Sequence, residues 1–235
     1  MVEAATDAGT VWAWRHPRAE GAQGRCIGRT DLRVDPRRAK RLAHRIRQAA
    51  RRHGLPRVVW TSPLRRCADV GRWLRRWGWE HRIDAALMEA DFGAWDGLGW
   101  ERIPREEVDA WCADFAAARP GGGESLRQVL ARAADWTPPA GVAALLVTHG
   151  GWMLARHWVA MHAQPPRLPG EWPRAPGHGC LWRLEGARKE WKAGIQAAPH
   201  QFEARVPRTQ DPGPGVQPDL LAVAWGPPGL PPSRE

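Results

Sequence analysis

Two short apolar runs end in histidine: Val11-Trp12-Ala13-Trp14 leads into Arg15-His16, and Val142 to Val147 leads into Thr148-His149-Gly150-Gly151. Between them lie a second basic pair, in Thr61-Ser62-Pro63-Leu64-Arg65-Arg66, and a loop with two carboxylates, Glu89 and Asp91. These residue types can move a phosphoryl group. A neutral imidazole is a competent nucleophile toward phosphorus, and neighbouring arginines keep it neutral by disfavouring a further positive charge. An arginine fork is planar, always charged and matched to pairs of phosphate oxygens. His16 is the expected nucleophile, and two arginines and a histidine, from among Arg15, the Arg65-Arg66 pair and Thr148-His149-Gly150, would hold the phosphate. A helix opening after Ser62 would aim backbone N–H groups at the same anion. The departing oxygen needs a proton, which Glu89 can deliver as a carboxylic acid; Asp91, in the same loop, is the competing candidate. With the phosphate charge met by side chains, no metal and no cofactor is expected, and the chain has no Asp-rich or His/Cys run at ligand spacing.

This chemistry requires residues far apart in sequence to meet, which the carboxyl ends of neighbouring parallel strands allow. Strands are expected at Val11–Arg15, Arg57–Trp60, His81–Ile83 and Val142–Thr148. Asp35 as N-cap, Pro36 at the first helical position and apolar residues Ala39, Leu42, Ala43, Ile46 and Ala50 predict a helix ending at His53-Gly54. A second helix is expected from Leu64 to Trp77, with Val70, Trp73, Leu74 and Trp77 facing inward. Asp84 to Gly99 reads as irregular. Helices over Glu106–Ala118 and from Glu124-Ser125 to Trp136 follow, separated by Pro120-Gly121-Gly122-Gly123. A helix from Gly151 to Met161 comes after the last main strand, and Cys180–Leu184 is a further strand expected to pair with Glu190–Ala193. Alternating strands and helices predict an α/β fold, a three-layer α/β/α sandwich around a central, mostly parallel sheet.

The 235 residues suffice for one well-filled core. The expected organisation is a flexible N-terminus at 1–10, one domain over 11–197 and a disordered Pro/Gly-rich tail at 198–235, which holds 9 of the 22 prolines. The four cysteines form no C-x-x-C pair, and no apolar stretch reaches the length of a spanning helix, so a reduced cytoplasmic setting away from membranes is expected. A net charge of +10, almost wholly from arginine, raises the question of a polyanionic partner. Arginines spread along the chain, not gathered in one block, argue against nucleic acid and for a compositional bias. The expected partner is a small phosphorylated metabolite; oligomeric state leaves no mark in the sequence.

Arg15-His16, Ser62-Pro63-Leu64 with Arg66, Leu87-Met88-Glu89 before Phe92-Gly93-x-Trp95-x-Gly97, and His149-Gly150-Gly151 resemble, in order and spacing, the signatures of the histidine phosphatase superfamily, the phosphoglycerate mutase-like fold. The resemblance implies that His16 is phosphorylated, that Arg15, Arg66 and His149 form the phosphate pocket, and that Glu89 donates the proton. It also selects Arg66 over Arg65. Within the superfamily, Gly24-Arg25-Cys26-Ile27-Gly28-Arg29-Thr30-Asp31-Leu32 and Gly122-Gly123-Glu124-Ser125 look like the alpha-ribazole phosphatase branch, implying a role in cobalamin biosynthesis and a substrate loop built with Arg29, Thr30 and Glu124. Ile27 stands where that branch usually has tyrosine, a residue this chain lacks entirely. The expected activity is a metal-independent phosphomonoesterase working through phosphohistidine. The rivals are a mutase or broad small-molecule phosphatase with the same site, and a non-catalytic basic binding module.

Overall fold

In the computed structural model, β1 (Val11–Arg15) and β4 (Ala144–Thr148) lie side by side in parallel, with Arg15 opposite Thr148. The structure describes residues 10–137, 143–188 and Trp191. The expected loose N-terminus, apart from Thr10, and the 198–235 tail fall outside them. β2 (Val58–Thr61) flanks β4 and β3 (Glu80–Ile83) flanks β2, both in parallel. The sheet order is β3-β2-β4-β1-β5. β5 (Leu181–Leu184) runs antiparallel and pairs with β1; the sequence also predicts a pairing of this strand with Glu190–Ala193. That expected hairpin partner lies outside the described residues except for Trp191, whose indole N–H donates to the His162 carbonyl.

Side chains alternate across the strands and divide the core in two. Trp12, Trp14, Val59, Leu145 and Val147 face α1 (Pro36–His53) and α2 (Arg65–Arg76). Val11, Ala13, Ala144 and Leu146 face α4 (Leu126–Asp135) and α5 (Gly150–Met161), and the same core takes in Trp111 of α3 (Arg105–Ala113). The three-layer architecture follows from these two apolar faces.

Helix ends match their chemistry. Asp35 accepts from the Arg37 N–H at 2.7 Å, and Gly54, at φ +63°, closes α1 in the left-handed conformation that a Cβ disfavours. Ser125 and Gln128 form a reciprocal capping box at the start of α4. α3 is shorter than its pattern suggests: it stops at Ala113, and the chain turns so that Phe115 enters the core. Trp73 and Trp77 are only half-buried, at the seam between α1 and α2.

The C-terminal end of α4 has an unusual partner. Arg156 of α5, 2% exposed, donates through Nη1 to the carbonyls of Ala133 (2.7 Å) and Trp136 (2.8 Å) and through Nε to Glu185 (3.0 Å). It serves as a C-cap supplied by a neighbouring helix. The last carbonyls of α4 find no N–H donor inside their own helix, and a cation suits that end of the dipole.

Candidate active site

Parallel pairing of β1 and β4 brings His16 and His149 to one place. The His16 backbone N–H continues the ladder onto Thr148 (2.9 Å), and the two imidazole centroids are 5.1 Å apart. Both rings are buried. The His16 Nδ1 is 2.7 Å from the Pro17 carbonyl, which can only accept, so Nδ1 carries the hydrogen. Nε2 of a neutral ring then holds the free lone pair. Burial first, and then the charges of Arg66 and Arg15, push the His16 pKa well below its ordinary value, so the ring is neutral at physiological pH.

Arg66, 1% exposed, is held on three sides. Its Nε donates to His149 Nδ1 (3.2 Å), Nη1 to the Thr30 carbonyl (2.7 Å) and Nη2 to the Gly28 carbonyl. Of the five guanidinium N–H groups, two remain for an anion. Because His149 Nδ1 accepts, its Nε2 carries the hydrogen, which points toward the Cys67 sulfur at 3.4 Å. Burial and Arg66 lower the His149 pKa as well.

Arg15 donates to the Pro176 carbonyl (2.7 Å), while its buried Nε has no hydrogen-bond partner. The guanidinium lies flat against Gly150, where an added Cβ would stand 3.2 Å from Cζ and Nε. Glycine at the first position of α5 therefore makes room for the arginine. Glu89, 5% exposed, accepts from the Gly151 N–H (3.1 Å) at the start of α5 and from the Ala90 N–H (3.0 Å). It interacts electrostatically with both Arg15 and Arg66. Asp91 is placed differently: it pairs with Arg29 at 3.3 Å and caps the Gly93 N–H near the surface.

The expected helix-terminal anion site after Ser62 is taken by the protein itself. The Arg65 N–H at the start of α2 donates to Asp31 (2.7 Å), and Ser62 accepts from the Leu64 N–H. Arg29, Thr30 and Glu124 come together only in part. Arg29 bridges Asp91 and Glu124, each at 3.3 Å, and Glu124 also binds Arg132 (3.0 Å). Thr30 donates its hydroxyl to Asp96 (2.6 Å), so the side chain anchors the loop and faces Asp96.

Two residues that the sequence reading passed over belong to this site. Asp96 accepts from the backbone N–H groups of Gly28, Arg29 and Thr30, and sits within the Trp95-x-Gly97 element, the only local hint of its role. His178, just before β5, lies with its ring centroid 5.3 Å from that of His16 and donates from Nδ1 to the His16 carbonyl (3.3 Å). No sequence motif marks it; the return of β5 beside β1 brings it there. Burial and the neighbouring Arg15 push its pKa down to about 4. Among the described residues, no group of three His, Cys, Asp or Glu side chains is placed to hold a metal ion.

The family model of the histidine phosphatase superfamily (branch 1) matches residues 11–196. The chain belongs to this superfamily. It is 32% identical over 139 residues to a bifunctional protein of Mycobacterium tuberculosis (strain ATCC 25618 / H37Rv), a match covering 57% of this chain and 35% of the relative. The chain thus spans about a third of the length of the curated relatives it matches. Among solved structures, it resembles a mycobacterial glucosyl-3-phosphoglycerate phosphatase (25% identity, TM-score 0.57, 79% of this chain and 94% of that one). A phosphoglycerate mutase from Thermus thermophilus is also similar (25% identity, TM-score 0.54, 74% and 98%). Superfamily membership and fold thus agree with the motifs, while the neighbours include both a phosphatase and a mutase. No helix among the described residues is long and apolar enough to cross a membrane.

Proposed function

We propose that this superfamily member is a phosphomonoesterase that forms phosphohistidine at His16 and needs no metal. The observation that carries the reading is the His16 Nδ1 contact with the Pro17 carbonyl, which leaves Nε2 as a buried, neutral nucleophile beside two arginines. The two unused N–H groups of Arg66 and the unpartnered Nε of Arg15 supply donors for the transferring oxygens, and His149 can exchange its weak contact with Cys67 for another. Nε2 attacks phosphorus in line, the P–O ester bond breaks, and Glu89 gives a proton to the departing oxygen. In the second step Glu89 takes a proton from water, the water oxygen bonds to phosphorus, the P–N bond breaks and inorganic phosphate leaves.

For the substrate, a phosphate ester with an uncharged polar remainder is favoured, of which alpha-ribazole phosphate in cobalamin biosynthesis is the leading case. Arg29, the loop arginine suited to a second anionic group, is already engaged by Asp91 and Glu124. That supports a neutral leaving group over phosphoglycerates, and hydrolysis over the mutase reaction. Ile27 cannot make the hydroxyl contact typical of the alpha-ribazole branch, so this chain would hold the remainder by other groups.

The test is turnover of a generic phosphomonoester with EDTA present, for wild type and His16→Ala, followed by a panel of alpha-ribazole phosphate, sugar phosphates and phosphoglycerates. Activity that survives the chelator and is lost in the variant, with acid-labile phosphate trapped on His16, is expected. Undiminished turnover in His16→Ala would overturn the nucleophile assignment, and preference for a phosphoglycerate would overturn the substrate class.

A further inference from the structure

The arginines that look scattered in sequence are gathered by the fold. α1 and α2 pack side by side on one face of the sheet, and together they hold thirteen of the 35 basic residues and one of the 25 acidic ones. The two helices thus carry +12, more than the +10 of the whole chain. Arg66 points into the catalytic pocket, but Arg37, Arg38, Lys40, Arg41, Arg45, Arg51, Arg52, Arg72, Arg75 and Arg76 are all exposed. Among the described residues, the one ion pair on this face is Asp69 with Arg72. Charges so close together repel, and among the described residues only Asp69 offsets them with an ion pair.

The seam between the helices adds aromatic surface. Lys40 and Arg76 lie over the Trp73 ring at 5.2 Å and 4.8 Å, Arg47 over Trp77 at 4.9 Å, and His44 packs on Trp77. Arg37, Arg41 and Arg45 follow one another at four-residue intervals, about 6 Å apart along the helix axis. That is close to the spacing of phosphates along a nucleic-acid strand. The row continues toward the catalytic mouth, since a Cβ at Gly179, next to His178, would lie 3.2 Å from Arg45 Nη1.

We propose that the α1/α2 face binds the sugar-phosphate backbone of a nucleic acid. Charge complementarity and the preponderance of arginine, whose fork pairs with phosphate oxygens, favour this partner. A lipid surface fits less well. Among the described residues, the exposed large apolar side chains are Ile83, Met161 and Leu168, none of them in α1 or α2, and both tryptophans of the seam are covered by cations, so these two helices offer no apolar anchor for a bilayer. The mode of binding is independent of base sequence, because backbone contacts carry no base readout.

The full chain would be titrated against fluorescently labelled single-stranded and duplex oligonucleotides of about 20 nucleotides, by anisotropy, across a salt series. Binding is expected with a log–log salt slope of about −3 or steeper, as for three or more neutralised phosphates. The variant Arg41→Gln/Arg52→Gln/Arg75→Gln should bind about tenfold or more weakly and shift the slope by about 2 to 3. It should keep wild-type phosphomonoester turnover, because none of the three touches the pocket. A control, Arg102→Gln/Arg127→Gln/Arg167→Gln, removes the same charge from elsewhere and should bind like wild type. Absence of binding near 0.1 M salt, equal weakening in both triple variants, or binding confined to anionic lipid vesicles would each overturn the proposal.

Discussion

Asp96 sets the position of Arg66 without touching it. The Asp96 carboxylate accepts from the backbone N–H groups of Gly28 (3.1 Å), Arg29 and Thr30 (3.1 Å), and the carbonyls of Gly28 and Thr30 in turn accept from the Arg66 guanidinium. A three-residue loop is thereby turned with its donors toward one residue and its acceptors toward another. The loop also runs so close to the Ala90 carbonyl that a Cβ at Gly28 would meet it at 2.2 Å.

Asp96→Ala should therefore damage catalysis at one remove. Loss of a carboxylate with four donors costs about 2 to 3 kcal/mol, which corresponds to a fall in kcat/KM of about 30- to 150-fold. The accompanying signature is weaker inhibition by inorganic phosphate, because the Arg66 fork is no longer held. Unchanged phosphate inhibition would show that Arg66 is positioned by other contacts.

Arg66→Lys keeps the charge but cannot reach His149, Thr30 and Gly28 together. A drop of about 10² or more in kcat/KM is expected, with the protein still folded by circular dichroism. Retention of more than about a third of the activity would mean that charge alone suffices.

The pH behaviour follows from the buried rings. His16 and His149 have pKa values well below 6.5 in the folded protein, while in the unfolded chain both return to about 6.5. Below that value the unfolded state binds more protons, so stability is fully present above about pH 6.5 and is lost as pH falls toward the folded-state values. Thermal melts in phosphate-free buffers should thus show Tm falling steadily below about pH 6.5, and the His16→Gln/His149→Gln variant should flatten that decline. Added phosphate should restore Tm, since it binds only the folded site. The same neutrality predicts that the acidic limb of kcat/KM lies below about pH 6.5.

His178 holds the His16 carbonyl through one hydrogen bond, so His178→Ala should lower kcat/KM by about three- to tenfold. His178→Asn, whose amide can donate to the same carbonyl, should recover most of it. An equal loss in both variants would assign His178 to contact with the substrate through its other nitrogen.

Arg156 concerns stability alone. Arg156→Met leaves the carbonyls of Ala133, Trp136 and Glu185 without their buried donor, at a cost of about 2 to 4 kcal/mol in urea unfolding. Turnover by the remaining folded protein should match wild type.

Much of this architecture is local and therefore legible in the chain. Asp35-Pro36 and Gly54 mark the ends of α1 because caps depend on a few adjacent residues, and β1 and β4 stand out because strands buried on both faces must be apolar throughout. The pairing of Arg15-His16 with His149-Gly150 also shows, since each ends such a strand. Three things depended on the tertiary structure. Partners separated by long stretches of chain, such as Asp96 with the Gly28–Thr30 loop, Arg156 with the end of α4, and His178 with His16, leave no periodic trace. The tautomers of His16 and His149 follow from which carbonyl or guanidinium faces each nitrogen. Only the packing of α1 against α2 turned arginines spread along the sequence into a single charged face, because charge density is a property of surfaces and is invisible in one dimension.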